Sequence, residues 1–459
     1  MAKASRLVSV WAFCGIAVAL MAWLSASSTN AEAQAQGNNA VYNSTASCAA
    51  GSPCAASPAF IDAFIFLNPG AGQGKDLCDT IYYILTTPNI YPSNGTVIDA
   101  RGISGSALAC QHGSPWAESS SVNLPSTILL PAGTIVMNTP WVLPNNTRLI
   151  GEGDNISSGT TIQAPTGFSG AMIQMGAASV CPSSVCTGMA IEHLVLDGQG
   201  QNINGIVNQF SEDLSYVDHV SFYRVLGTGL TVAGSANYSG PYTNITFNTA
   251  GAGTPTVSTK CIALEVPSTK GVRGLTCTSK PAGAAYGVLL DGSNNSIKDV
   301  SVDGFTDGIL IGNNFNLASA ILENIQSPGA VGVADLIHIC GNDYSSDHCV
   351  RTVHTVTDLA ILGASCSVCT TTSVKDDTTN TALSPTTDPQ VAMYILGEPA
   401  TGGVGNSRFT TSTSIPTWAV GSFTGTPTSP CAPGSLLSNT SGSGTALYVC
   451  KLGTWTFIK

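Results

Sequence analysis

A six-residue pattern recurs roughly every 25 residues along this chain: aliphatic, any residue, Asn/Asp/His/Gly, aliphatic, any residue, apolar. Copies stand at Ile191–Leu196, Val217–Phe222, Tyr242–Phe247, Val272–Cys277, Ile297–Val302 and Val356–Ile361, with a partial copy at Leu322–Ser327. A unit this short cannot bury its own apolar face, so the copies have to stack on one another as a solenoid. The third position is His193, His219, Asn244, Gly274, Asp299, Asn324 and Asp358. These residue types tolerate positive φ, and no β-branched residue occurs there. One left-handed residue between two short apolar strands bends the backbone sharply once per turn. The pattern therefore predicts an all-β solenoid, the single-stranded parallel β-helix. A leucine-rich repeat would need a Leu-rich consensus and a helix in every repeat, and neither is visible.

Composition agrees. Only 9% of the 459 residues are charged and 49 are Gly, whereas helical proteins lean on Glu, Lys and Arg. Residues 1–35 read as a secretory signal: Lys3 and Arg6, an apolar run Leu7–Leu24, then small residues around Ala33-Gln34-Ala35. A retained membrane anchor is the other outcome such a run allows. Of the 15 cysteines, all but Cys14 lie beyond this leader. They fall into the neighbouring pairs Cys48/Cys54, Cys78/Cys110, Cys181/Cys186, Cys261/Cys277, Cys340/Cys349, Cys366/Cys369 and Cys431/Cys450. In an oxidising compartment these read as local disulfides, although sequence alone does not establish connectivity. Cys366-x-x-Cys369 has the spacing of a redox dithiol, but without a βαβ pattern around it a structural bridge is the better reading. A net charge of −11 argues against nucleic acid and anionic membranes as partners. It also repels acidic polysaccharides unless a cation such as Ca²⁺ bridges the two.

Residues 36–75 are rich in Ala, Ser, Gly and Asn and are expected to be irregular. Asp76–Leu85 carries Leu77, Ile81, Ile84 and Leu85 on one helical face, which suits a cap over the open N-terminal end of a β-helix. Next come Ile128-Leu129-Leu130-Pro131-Ala132-Gly133-Thr134-Ile135, Trp141-Val142-Leu143-Pro144, Leu149-Ile150-Gly151-Glu152-Gly153 and Thr161-Ile162. This run resembles the first coils of the pectate-lyase-like superfamily of right-handed β-helix proteins, in which a Pro-x-Gly turn is followed by a Gly-x-Gly turn. The superfamily includes pectate and pectin lyases, polygalacturonases, other polysaccharide lyases and hydrolases, and phage tailspikes. The resemblance covers residues 76–400 and implies a right-handed fold and a polysaccharide-related role. Ala400–Pro430, rich in Gly, Thr, Ser and Pro, reads as a linker over 401–430. Residues 431–459 read as a small β-module pinned by Cys431 and Cys450. Tyr448 and Trp455 in it either bind glycan or help to cap the solenoid edge.

Each coil has a second apolar anchor after a longer loop: Ile206, Leu230, Ile262, Val288, Ile309 and Ile337. In the resembled enzymes the exposed side of this strand forms the substrate groove. Two residues before the anchors stand Asn204, Thr228, Lys260, Tyr286, Asp307 and Asp335, and successive coils are ~4.8 Å apart. Asp307 and Asp335 are thus expected side by side, with three uses open to them. They can share a proton as acid and base, act as a retaining glycosidase pair, or hold Ca²⁺. Against this, Asp307 is also a good strand-initiating residue after a turn. His338 follows Ile337 and is expected to point outward on the same coil.

The specific family signatures mostly fail. Thr306-Asp307-Gly308 is similar to the Asn-Thr-Asp-Gly segment of polygalacturonases, but Phe305 replaces the Asn, Ala334-Asp335 keeps one carboxylate of an Asp pair, and no Gly-His-Gly or Arg-x-Lys follows. Val217-Asp218-His219 is similar to a pectate-lyase Asp-His motif, yet His219 occupies a bend position. The lyase Arg-x-Pro-x-x-Arg pattern is absent, which leaves Arg224 as a lone proton abstractor. The densest polar cluster, His338 to Cys349, reads as a disulfide-closed loop. Zinc through its His and Cys residues, or calcium through Asp343 and Asp347, is the alternative. The leading expectation is a secreted polysaccharide lyase or glycoside hydrolase. Asp307, Asp335 and His338 would be catalytic, and Lys260, Tyr286, Asp343 and Asp347 would contact substrate. No metal ligand is assigned. The competing expectation is a non-catalytic β-helix protein that binds cell-surface glycan or serves as structure.

Overall fold

The apolar strands do hide their inner faces by stacking. The computed structural model describes residues 60–339 apart from 69–73, 88–89, 91–95, 112, 117–123, 182–184, 257, 283, 312–319, 329–332 and 334. Beyond 339 it describes 344–345, 348–349, 359–366, 372–376, 394–396, 418–421, 427, 431, 433–439 and 446–458. Two long parallel sheets run the length of the solenoid. The first, here the bend sheet, runs from Phe60–Asp62 through Ala190–Gln201, Tyr216–Val225, Tyr242–Asn248, Val272–Thr278, Asn295–Asp303 and Ala320–Ser327 to Leu359–Cys366 and Tyr394–Leu396. The second, the groove sheet, has nine strands, among them Asn204–Asn208, Thr228–Val232, Lys260–Leu264, Ala284–Leu290, Phe305–Ile311 and Asp335–Ile339. The chain is a right-handed parallel β-helix, the hand that parallel crossovers take almost without exception.

The repeat becomes register. Leu194 pairs with Val220, Ile245 with Leu275, Leu275 with Val300 and Val300 with Ile325. Between them His193, His219, Asn244, Gly274, Asp299 and Asn324 all adopt positive φ, from 51° to 69°. The last repeat departs from expectation. Ile325 pairs with Ala364 and Glu323 with Leu362, so Gly363 falls opposite Asn324 in the bend column. Val356–Ile361 is therefore out of frame, and Asp358 lies outside the described residues. Both frames carry an aliphatic run around a turn-tolerant residue, and the pairing partner selects between them.

One continuous core fills the solenoid, with Trp141, Tyr242, Phe222 and Phe247 its largest buried side chains. Cys261 on the groove sheet is joined to Cys277 on the bend sheet through this core. Cys78–Cys110, Cys181–Cys186 and Cys431–Cys450 are also bonded. The remaining three expected pairs each include a cysteine outside the described residues. The expected helix spans Leu77–Thr86 and contributes Leu77, Ile81, Ile84 and Leu85 to the core. The Asp76 carboxylate accepts from the Asp79 amide while the Asp79 carboxylate accepts from the Lys75 amide, a reciprocal cap that satisfies free donors at the helix start.

Two boundaries are corrected. Residues 60–66, expected to be irregular, form a strand, Phe60–Asp62, and a 3-10 turn, Ala63–Phe66, and Ile61 joins the core. Trp418–Gly421, placed in the linker, pairs in parallel with Leu436–Asn439 and so belongs to the four-stranded C-terminal sheet. In that module Tyr448 and Trp455 pack against Leu437 and the Cys431–Cys450 bridge at 7% and 5% exposure. Both belong to the core of this module. Among the described residues no helix is long and apolar enough to cross a membrane.

Candidate functional site

The groove sheet presents an ordered outer face because its register is the one the anchors predict. Thr228 pairs with Lys260, Tyr286 with Asp307 and Asp307 with Asp335. The residue between each of these and its anchor turns inward. A side chain at Gly308 would meet the Leu336 carbonyl oxygen at 2.5 Å, and one at Gly205 would meet the Phe222 ring at 2.4 Å. Consecutive core residues such as Cys261–Ile262 and Leu336–Ile337 break the strict alternation here, so that the residue before them and the anchor lie on opposite sides of the sheet. A second outer column follows the anchors: Ala263, Leu289, Leu310 and His338, paired coil to coil.

The two columns meet over the last coils. Tyr286 packs with Ala263, Leu289 and Leu310 in an apolar cluster separate from the main core. Beside it, His338 Nδ1 lies 3.1 Å from Asp307 Oδ2, with side chains only 5% and 3% exposed. Lys260 Nζ sits over the Tyr286 ring, 5.2 Å from its centre. Sequence reasoning expected the outer columns to be open, and here it fell short: Asp307, His338 and Tyr286 are all buried. Asp335 stands opposite Asp307 in the ladder, as expected. Asp343 and Asp347 lie outside the described residues, within a segment where Tyr344 and Ser345 pair antiparallel with Cys349 and His348.

Burial governs the electrostatics of this face. It pushes Tyr286 up to about 12, with the charges of Glu265, Asp291 and Asp307 adding to the effect. It lowers the Lys260 amine below its ordinary value, against the pull of Glu265. Desolvation also raises Glu265; Lys260 opposes this and Asp291 reinforces it. Glu265 and the buried Asp291 were not singled out from the sequence. Both stand three residues after an anchor, Ile262 and Val288, so reading the same alignment one column further would have found them.

The chemistry open to this arrangement is proton transfer. A carboxylate within ion-pair distance of an imidazole favours the protonated ring, which makes the pair a group that can take up and release a proton.

The bend sheet carries a second polar ladder on its outer side. The His193 and His219 rings stack at 4.8 Å, and His219 Nδ1 lies 3.0 Å from Asp218 Oδ2. Asp218 Oδ1 accepts from Thr243 Oγ1 at 2.5 Å and from Asn244 Nδ2 at 3.0 Å. Burial acts to raise the Asp218 carboxyl, but the hydrogen bonds from Thr243, His219 and Asn244 outweigh it and hold the group below its usual range. Arg224, the lone proton abstractor of the sequence reading, is instead paired with the buried Asp197 carboxylate through both Nε and Nη2.

No protein-family pattern matches this chain, and no curated protein sequence does. Among solved structures it is similar to a tailspike protein of an Escherichia coli bacteriophage in complex with a pentasaccharide, at 16% identity and a TM-score of 0.40. That match covers 59% of this chain and 50% of the tailspike, so the chain spans half of that protein's length. The A-module of an Azotobacter vinelandii mannuronan C-5 epimerase matches at 15% identity and a TM-score of 0.29, covering 59% of this chain and 80% of the module. A Streptococcus pneumoniae surface adhesin matches at 10% and 0.25, covering 72% and 90%. Likeness this distant assigns no chemistry to the chain.

Proposed function

We propose that the outer face of the groove sheet between Lys260 and Asp335 binds carbohydrate, and that the chain is an exported polysaccharide-active protein, a lyase or a glycoside hydrolase. The observation that carries this reading is the Asp307–His338 pair at 3.1 Å in the outward columns. His338 acts as acid/base, and the Asp307 carboxylate beside it stabilises its protonated form. Asp335, opposite Asp307 in the ladder, supplies a further carboxylate at the ~4.8 Å spacing of coils, close to the ~5–5.5 Å of retaining glycosidases. The same pair of residues is suited to Ca²⁺, which would offset the repulsion between an acidic protein and an acidic glycan. Lys260 and Tyr286 line the groove, and Asp343 and Asp347, outside the described residues, remain candidate substrate contacts. Disulfides at eight described cysteines support an oxidising destination, hence export.

Reducing-end release and the absorbance of new unsaturated ends, measured over a panel of plant and bacterial polysaccharides, test the reading. Activity that falls by about 10²-fold or more in His338→Ala and in Asp307→Asn supports it. Activity unchanged in both variants places the chemistry elsewhere. Loss of activity with chelator that added Ca²⁺ restores assigns the carboxylates to a cation. A second reading, a non-catalytic glycan-binding β-helix, is favoured by the near-complete burial of Asp307 and His338. Glycan retention by the folded protein without any cleavage supports that reading over the first.

A further inference from the structure

The bend ladder has one feature that a purely structural role does not require. Bend positions recur once per coil, and Asn or Gly serves them well, as Asn244, Gly274 and Asn324 do. On two adjacent coils the position holds imidazoles instead, His193 and His219, with φ of 55° and 51°. Because the coils are in register, with Asp218 opposite Glu192 and Val220 opposite Leu194, the two rings are forced into one stack. Asp218, the residue before the second bend, reaches the same place. Donor atoms of His193, Asp218 and His219 all lie within 4.8 Å of one another, and the three side chains are partly exposed. Glu192, the equivalent of Asp218 one coil earlier, is occupied elsewhere: its Oε1 accepts from Arg148 Nη2 at 2.7 Å and from Tyr216 OH at 2.9 Å.

We propose that His193, His219 and Asp218 form a binding site for a divalent transition-metal ion of the Zn²⁺, Ni²⁺ or Cu²⁺ class, which joins two consecutive coils on the outer side of the bend sheet. Two imidazole nitrogens and one carboxylate oxygen are the donor set such ions select, whereas Ca²⁺ and Mg²⁺ require more oxygens. Tetrahedral donors around Zn²⁺ stand ~3.3 Å apart; His219 Nδ1 and Asp218 Oδ2, at 3.0 Å, already meet this, and His193 has to close by at most about 1.5 Å. Rotation of partly exposed rings about their side-chain bonds supplies this without moving the strands. Asp218 Oδ1 is already held by Thr243 and Asn244, while Oδ2 lies 3.0 Å from His219 Nδ1, so the ion takes the place of that contact and binds both partners. Such outer-shell hydrogen bonds orient a ligating carboxylate. The site lies on a different sheet from Asp307 and His338 and is independent of the groove reading.

Isothermal titration of the full chain with Zn²⁺, and separately with Ca²⁺, tests the proposal. One Zn²⁺ site that weakens at least about tenfold in His193→Asn and in His219→Asn is the expected result, together with no competition from Ca²⁺. Asn is the chosen replacement because it already occupies bends in this solenoid, so the variants keep the backbone turn. Circular dichroism matching the parent checks that they fold. Asp218→Asn is expected to weaken binding in the same direction. Zn²⁺ binding that is equally tight in both His variants overturns the proposal, as does the absence of any Zn²⁺ binding to the folded parent chain.

Discussion

Tyr242 illustrates how burial decides what a single residue does. Its ring is fully buried, and its hydroxyl sits 2.7 Å from Ser239 Oγ and accepts from Asn208 Nδ2 at 3.1 Å. Burial pushes its pKa up to about 12, although the bonds to Ser239 and Asn208 pull the other way. A raised tyrosine pKa means that the native state resists ionisation which the unfolded chain accepts near pH ~10. Its stability contribution is therefore intact below pH ~10 and is lost as pH rises from there through about 12, by roughly 2–3 kcal/mol in all. Denaturant melts at pH 9 and pH 12 should reveal this loss. Tyr242→Phe should remove that share of the alkaline slope, while costing about 1–3 kcal/mol at neutral pH by leaving Asn208 and Ser239 short of a partner. An identical slope in parent and variant would assign the alkaline sensitivity to other groups.

At the scale of the element, the bend is the informative unit. Asn244 holds φ of 53° and donates to Asp218. Asn244→Val forces a β-branched side chain into a left-handed backbone and removes that bond, so a loss of about 2–3 kcal/mol is expected. Asn244→Gly keeps the conformation and should cost about 1 kcal/mol, mostly the hydrogen bond. Thermal melts of the two variants separate backbone strain from the polar contact, and equal losses would contradict a left-handed requirement. The Cys261–Cys277 bridge, 16 residues apart in sequence, joins the two sheets of one coil through the core. Replacing both by Ala should lower stability by about 2–4 kcal/mol, and the gap between parent and variant should close when both are melted under reducing conditions, which open the other bridges equally in each.

For the whole molecule, stability is a chain of neighbour-to-neighbour interfaces, since each coil pairs with the coil before and the coil after. A charge placed in the middle of the stack should then divide it. Leu275→Asp, at a position 1% exposed, should lower protection of backbone amides in the strands that flank Val272–Thr278 more than in Phe60–Asp62 or the C-terminal sheet. Hydrogen exchange read by segment checks this, and a uniform loss along the chain would mean a single cooperative unit. The candidate groove has the same dependence on stacking. Lys260, Tyr286, Asp307 and His338 sit on four successive groove-sheet strands and meet only because those strands are in register.

What the amino-acid sequence determined by itself is local and periodic. The bend residues, the inward apolar positions, the capping helix and the pairing of Asp307 with Asp335 all follow from a repeat whose backbone demands are met within one coil. Tertiary structure decided what depends on partners distant in the chain. Two frames near residue 360 satisfied the repeat equally well, and only pairing with Ala320–Ser327 set Gly363 opposite the Asn324 bend. Exposure was decided in the same way: alternation along a strand says that Tyr286, Asp307 and His338 lie outside the core, but not whether their surroundings exclude water. Trp418 joined a sheet instead of a linker because its strand partner, Leu436, lies beyond any local signal. The meeting of His193, His219 and Asp218 has the same cause, since a sequence read one coil at a time holds no distance between coils.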